Sequence, residues 1–248
     1  MIRVFKGLTY QDIPTFLPKV LDLLPSFKVN ERILIKPNLC TKNKHACTDK
    51  SIVETVCSLV KNITDDWWIV ESNVFKGTPK EIAEYVNYPE WIIERIVNLS
   101  DDWTFLDKNP FKLINLPKLK AHDFLRYTCA RKNLFGFVPK PELRLKAHSE
   151  GLLETIQVLN ELYPSHLVIV DAITIMEGKG SPLRGKLKEL GWIIIGNSAE
   201  EVDEWVERNI IDEGLLEYDS NKFSEWMMRQ AGKMELTRKI YSFLEGLR

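Results

Sequence analysis

The chain is short of the residues that usually announce a metal or nucleotide site. Its four cysteines, Cys40, Cys47, Cys57 and Cys129, include no CxxC pair, and their spacing matches no common zinc signature. "CTKNKHAC" does bring Cys40, His45 and Cys47 close together in sequence, a set of soft donors without an evident second ligand pair, and ordinary loop and core cysteines are the better reading. Neither GxGxxG nor GxxxxGK[ST] occurs, so the loop "MEGKGSPLRG" (176–185) reads as turn-rich chain rather than as a phosphate cradle. No apolar run reaches the roughly 18 residues of a membrane-spanning helix. The opening "MIRVFKGLTY" lacks a signal-peptide core. The expectation is a cytoplasmic protein, where a reducing environment makes disulfides unfavourable. Internal repeats and low-complexity tracts are also missing.

What is present is a hydrophobic fraction of 44% over 248 residues, enough for a sizeable core in one large domain or two small ones. The net charge is −1, but it is unevenly spread. Between Lys108 and His148 there are ten Lys or Arg and two acids, Asp123 and Glu142, while the remainder of the chain is acidic. The basic stretch is therefore local, and adhesion of the whole protein to nucleic acid is not implied.

Short apolar runs alternate with helical patterns. "IRVF" (2–5), "RILI" (32–35), "WWIV" (67–70), "WTFL" (103–106), "FKLI" (111–114), "HLVIV" (166–170) and "WIIIG" (192–196) read as strands. "QDIPTFLPKVLDLL" (11–24), "TDKSIVETVCSLVKNI" (48–63), "TPKEIAEYV" (78–86), "PEWIIERIVNL" (89–99), "EGLLETIQVLNELY" (150–163) and "SAEEVDEWVERNI" (198–210) read as helices. Thr48 or Asp49 is the expected cap of the second, Thr78 with Pro79 and Glu81 starts the third, and Ser198 opens the last. The final thirty residues read as one or two helices. This order predicts an α/β fold: a layered sandwich with a largely parallel sheet flanked by helices, plus C-terminal helices. The expected division is an α/β domain over 1–210 with a helical appendage over 211–248.

In open α/β sheets ligands bind beyond the carboxyl ends of the strands, and the unusual polar residues here follow strands. Lys36 and Asn38 follow "RILI"; Glu71, Ser72 and Asn73 follow "WWIV"; Asn115, Lys118, Lys120 and His122 follow "FKLI"; Asp171 follows "HLVIV", with Glu177 and three glycines soon after. If the strands are parallel, these segments share one rim and the cations line a cleft. "TCARKNLFGFV" is a candidate helix capped by Thr128, whose N-terminus beside lysines would suit a carboxylate or phosphate. His122 and His148 are two of four histidines and can exchange protons near neutral pH. The bland alternatives are real ones. Lysines after strands are usually solvated, a lone His is more often structural, the tryptophans fall on core elements, and Asp203 on a helix is by default a solvated carboxylate.

The ordered motifs "ILIKPN", "NLPKLKAH", "KNLFGFVP", a later His and "VDAITIMEGKG" together resemble the DUF362 family, over roughly residues 31–205. The resemblance emphasises Lys36, Pro37, Asn38, Lys118, Lys120, His122, Lys132, Asn133, Gly136, His148, Asp171, Glu177, Gly178 and Gly180, with Asp203 ending the segment "EVD". Many members carry an added ferredoxin-like segment with cysteines for iron–sulfur clusters. This chain shows no such cysteines, so no iron–sulfur cluster is expected in it. Ala130-Arg131 before "KN" adds a cation where relatives carry small or apolar residues. The arrangement of a Lys with paired His residues is also similar to nickel-pincer lactate racemases, an analogy that transfers no function by itself.

The resulting expectation is an enzyme for a small anionic substrate or cofactor. Lys36, Asn38, Lys118, Lys120, Lys132, Asn133, Gly178 and Gly180 would bind it, and His122, His148, Asp171 and Glu177 would carry acid–base or metal-assisted chemistry. One alternative is a redox accessory protein whose basic face docks a separate ferredoxin-like partner. A weaker one is nucleic-acid binding, since Phe124, Tyr127, Phe135 and Phe137 interleave with the cations.

Overall fold

The computed structural model describes residues 1–21, 27, 30–179 and 184–230, the last five of these as backbone only. Among the described residues nine strands form one mixed, mostly parallel sheet: β1 (Arg3–Phe5), β2 (Ile33–Pro37), β3 (Trp67–Glu71), β4 (Ile96–Asn98), β5 (Lys112–Leu116), β6 (Lys118–Ala121), β7 (Tyr127–Thr128), β8 (Leu167–Glu177) and β9 (Lys186–Gly196). The main path runs β1-β9-β8-β5-β2-β3-β4. Its pairs from β8 to β4 are parallel, and β9 joins antiparallel to both β8 and β1. Strands buried on both faces need continuous apolar runs. Along β2 the neighbours alternate between layers: Ile33 and Ile35 belong to one core cluster, Leu34 to the other.

The helices are α1 (Ile13–Leu21), α2 (Lys50–Lys61), α3 (Pro79–Tyr85), α4 (Glu90–Ile93), α5 (Ala130–Asn133), α6 (Pro141–Glu150), α7 (Leu152–Leu162), α8 (Ala199–Val206) and α9 (Ser220–Gln230). Their starts follow the capping chemistry. Asp49 accepts from the Ser51 N–H, Thr78 and Glu81 form a reciprocal capping box with Pro79 in the first turn, and Ser198 accepts from the Glu201 N–H. Helices α1 to α3 pack on one face of the sheet, α7 on the other, and α8 covers β8 and β9.

Four local expectations change. "WTFL" is a 3-10 turn, Trp103–Leu106, whose Trp103 indole donates to the Phe137 carbonyl instead of joining the sheet. "PEWIIERIVNL" splits into the one-turn α4 and the strand β4. The helix within "TCARKNLFGFV" is capped at Cys129, not at Thr128, and tightens into a 3-10 turn at Leu134–Phe137. "KLKA", expected to be a rim loop, is the strand β6. It continues from β5 through Pro117, whose carbonyl accepts from the Asp171 N–H, and pairs in parallel with β8. Residues 22–24 of the first predicted helix, 180–183 of the glycine-bearing loop and 231–248 of the C-terminal helical segment lie outside the described residues.

Candidate functional site

The carboxyl ends of β2 and β3 lie side by side, because the two strands pair in parallel. Beyond them is a cavity of about 360 Å³ lined by segments from five parts of the chain. The end of β2 contributes Asn38 and Cys40, the end of β3 Glu71 and Asn73, β6 and its exit Lys120 and His122, α5 Lys132 and Asn133, and α6 Arg144 and His148.

Its floor is a buried polar lattice. Asn133 donates to the Lys36 carbonyl at 2.9 Å and to Asn115 Oδ1 at 2.8 Å, and accepts from Asn38 Nδ2 at 2.9 Å. Each amide thus satisfies another, which a buried polar group requires. Beneath it Lys36 Nζ meets Glu71 Oε2 at 2.6 Å, both side chains almost fully buried. Burial drives the Lys36 pKa down while Glu71 resists the fall. Arg144 approaches Glu71 Oε1 at 3.4 Å and donates to the Gly136 carbonyl at 2.9 Å. Gly136 is required by close approach: a Cβ there would sit 2.6 Å from Lys36 Cε and 2.7 Å from Lys36 Nζ and overlap Glu71.

The upper wall carries the histidines. His122 Nδ1 accepts from the Phe124 and Leu125 N–H groups, both at 3.1 Å, which leaves its proton on Nε2. His148 Nδ1 lies 2.8 Å from the Arg144 carbonyl, an acceptor only, so its proton sits on Nδ1 and Nε2 is the basic nitrogen. The rings stack with centroids 5.9 Å apart. Burial, then the charge of Lys132, holds His148 down to about 4, and the same two causes hold His122 well below its ordinary value. Two neutral imidazoles of opposite tautomer therefore face one space: one presents a proton, the other a lone pair.

Lys132 stands beside them. Burial, together with the charges of Lys120, Arg144 and Lys36, lowers it to about 7, and its ammonium lies 5.4 Å from the Phe135 ring centroid. Among the described residues no carboxylate pairs with it. Lys120 is differently placed. Its three hydrogens go to Asn38 Oδ1 at 2.9 Å, Cys40 Sγ at 2.9 Å and the Ala46 carbonyl at 2.5 Å.

Other residues expected at the site lie elsewhere. Lys118 and Asp171 form a buried ion pair at 2.9 Å. Tyr10 donates to Asp171 Oδ1 at 3.0 Å, and the Asp49 N–H donates to Oδ2 at 2.9 Å. That carboxylate already has its partners, and neither member of the pair lines the cavity. Glu177 sits at the far end of β8, accepts from the Glu217 N–H at 3.2 Å and lies 3.6 Å from Lys188. Gly178 occupies a turn with φ of 78° and donates to the Glu217 carbonyl. Both are carried away because β8 runs on past the sheet edge as a hairpin arm with β9. Gly180 lies outside the described residues.

The N-terminus of α5 is not an open anion site either. Asp203 on α8 occupies it, accepting from the Ala130 N–H at 2.7 Å and the Arg131 N–H at 2.9 Å. Burial raises this carboxyl to about 6 while those two N–H groups oppose the rise. Asp203 is thus an intramolecular cap, not a solvated helix residue.

Arg144 and Cys40 are cavity residues that the sequence reading did not select. For Arg144 a signal existed: Pro141, Arg144 and His148 fall at i, i+3 and i+7 of one helix, a single stripe, and all three line the cavity. Three of the four aromatics that interleave with the cations serve packing, while Phe124 is exposed. Phe135 and Phe137 are buried in the core, and Tyr127 donates to the Asp203 carbonyl. Among the described residues no His, Cys, Asp or Glu groups gather as a metal-binding trio, and no helix is long and apolar enough to cross a membrane.

No solved structure matches this chain. Among characterised sequences it is similar to the "Thylakoid-associated protein sll1697" of Synechocystis sp., 31% identical over 192 residues. The match covers 66% of this chain and 58% of that protein, so the relative is considerably longer than the shared part. The family model for the domain of unknown function DUF362 matches residues 33–207, which span β2 through α8 and every wall of the cavity. The chain belongs to the DUF362 family.

Proposed function

We propose that the protein is an enzyme that binds a small carboxylate- or phosphate-bearing molecule in this cavity and moves a proton on it. The observation that carries the reading is Lys132, a half-buried cation on the cavity wall without a fixed carboxylate partner among the described residues, set beside two neutral histidines. Leaving a desolvated lysine unpaired costs stability, and a ligand anion would repay that cost. Arg144 and Lys120 add positive potential but are already held by Glu71, backbone carbonyls, Asn38 and Cys40. Lys132 is therefore the cation to contact the ligand.

With the anionic group on Lys132, His148 Nε2 acts as general base, and His122 Nε2–H donates a hydrogen bond to the oxygen on which negative charge develops. Their opposite tautomers are fixed by backbone groups. Such a pair suits proton abstraction and return, as in an isomerisation or racemisation, and such steps contribute about 10²–10⁴-fold each.

The test is a panel of small carboxylates and phosphates, read by thermal shift and titration calorimetry. At least one class should stabilise the wild type, and the gain should vanish in Lys132→Met. Because an anion raises the Lys132 pKa from about 7, binding near pH 7.5 should take up protons, visible as a buffer-dependent heat. If no anion binds, or if Lys132→Met binds it equally well, the reading fails.

A further inference from the structure

Cys40 and Cys47 flank the loop that leaves β2, and neither is used in the chemistry above. Cys40 lines the cavity, while Cys47 is fully buried behind it. Each sulfur reaches back to the residue next to the other cysteine. Cys47 donates to the Thr41 carbonyl at 3.2 Å, and Cys40 Sγ lies 3.5 Å from the Ala46 carbonyl. The decisive contact is Lys120. Its ammonium has three hydrogens, and three acceptors surround it: an amide oxygen, a carbonyl oxygen and Cys40 Sγ at 2.9 Å. A neutral thiol is a weak acceptor, whereas a thiolate is a strong one. The cavity side of Cys40 carries Lys132 and Arg144, which attract an anionic reagent.

We propose that Cys40 and Cys47 form a thiol–disulfide exchange site for small anionic disulfides, with Cys40 as the attacking sulfur and Cys47 as the resolving one. The Cys40 thiolate attacks one sulfur of the incoming disulfide. The reagent S–S bond breaks and one thiolate leaves with the bonding pair, so that Cys40 holds a mixed disulfide. Cys47 then attacks Cys40 Sγ, and the mixed S–S bond breaks to release the second reagent sulfur, which leaves as a thiol carrying the Cys47 proton. Two protein thiols are oxidised to one disulfide, and the reagent is reduced to two thiols. The other two cysteines are unsuited to the attack: burial pushes Cys57 and Cys129 up. Cys40 is instead drawn down to about 5 by the neighbouring Cys47 and the charge of Lys120, against the opposing effect of burial. The proposal uses neither histidine and does not depend on the acid–base reading.

The probe is dithiobis(nitrobenzoate), an anionic aromatic disulfide whose released thiolate is coloured. The folded wild type should release about two equivalents rapidly and end with a Cys40–Cys47 disulfide in peptide maps. Cys47→Ser should release about one and retain a Cys40 adduct, and Cys40→Ser should show no rapid phase. Alkylation of Cys40 in the reduced wild type by iodoacetamide, located by mass spectrometry, should run close to its limiting rate already at pH 7, well below the ordinary thiol range near 8.5. Should Cys40→Ser fail to fold, the wild-type stoichiometry, the peptide map and the alkylation profile still decide. The proposal is overturned if rapid release is absent from the wild type, persists in a folded Cys40→Ser, or stops at one equivalent with a stable adduct. Alkylation that gains speed only above pH 8 also overturns it.

Discussion

Lys118 and Lys120 are two residues apart on β6 and point the same way along the strand, yet they end in different chemistry. Lys118 is locked against Asp171 and Tyr10 in a closed ion pair. Among the described residues Lys120 touches no carboxylate, and it stands at the cavity wall among neutral acceptors and a sulfur. The same contrast separates Lys36, paired with Glu71 under the floor, from Lys132, which faces the cavity. A buried lysine beside a fixed carboxylate holds the fold together. Lys120 is held by neutral acceptors instead, and Lys132, half-buried without a carboxylate among the described residues, is held at the expense of stability.

Substitutions can break or sharpen that division. The largest effect is expected for Lys118→Met, which strands the Asp171 carboxylate and should cost roughly 3–5 kcal/mol in denaturant unfolding. A loss under about 1 kcal/mol would place Lys118 with the ligand-facing group. Next is Gly136→Ala, whose methyl must displace Lys36 or Glu71; overpacking of this kind costs about 1–3 kcal/mol, and calorimetric unfolding would register it. Lys132→Met should have the opposite sign and raise stability at pH 7. Lys132 is held near 7 in the fold, far below an unfolded lysine near 10.4. The unfolded chain therefore binds the extra proton between those values, and wild-type stability from this group rises with pH. The advantage of Lys132→Met should accordingly shrink as pH climbs toward 10, and an advantage independent of pH would contradict the assignment.

The smallest effect concerns His148. Its folded value of about 4 lies below the unfolded value near 6.5. Protons bind preferentially to the unfolded chain between the two, so its contribution is complete above pH 6.5 and is lost as pH falls toward 4. His148→Leu should flatten that part of the stability profile. Parallel curves for the two proteins would show that His148 is not held neutral by the fold.

The strands that frame the cavity could be read because each ends in polar residues after an uninterrupted apolar run, as "ILIKPN" and "WWIVESN" do. Parallel pairing then brings Asn38 and Asn73 to one edge without further information. The strand β6 escaped notice because "KLKA" alternates cation with apolar residue, the pattern of a solvated edge. Here the lysine side of the strand turns inward to a polar interior. Asp171 was grouped with the cleft by its position after an apolar run, but β8 continues for six more residues, and Tyr10, far away in sequence, claims the carboxylate. Arg144 was missed for a related reason. Helix α6 lacks an apolar stripe, since the side it turns to the cavity carries Arg144 and His148. Asp203 could not be read as a cap, because the helix it caps lies about seventy residues earlier in the chain. Local pattern reports which strands exist and where they stop. Which charge meets which is decided by tertiary approach, and that separates Lys118 from Lys120.

The most direct test of the proposal that the cavity binds an anion is a crystal of the wild-type protein soaked in selenate, with the anion located by its anomalous signal. A peak is expected within hydrogen-bonding reach of Lys132, beside His122 and His148, and none there in Lys132→Met crystals. Selenate bound only on the outer surface, with the cavity unoccupied at the same concentration, would contradict it.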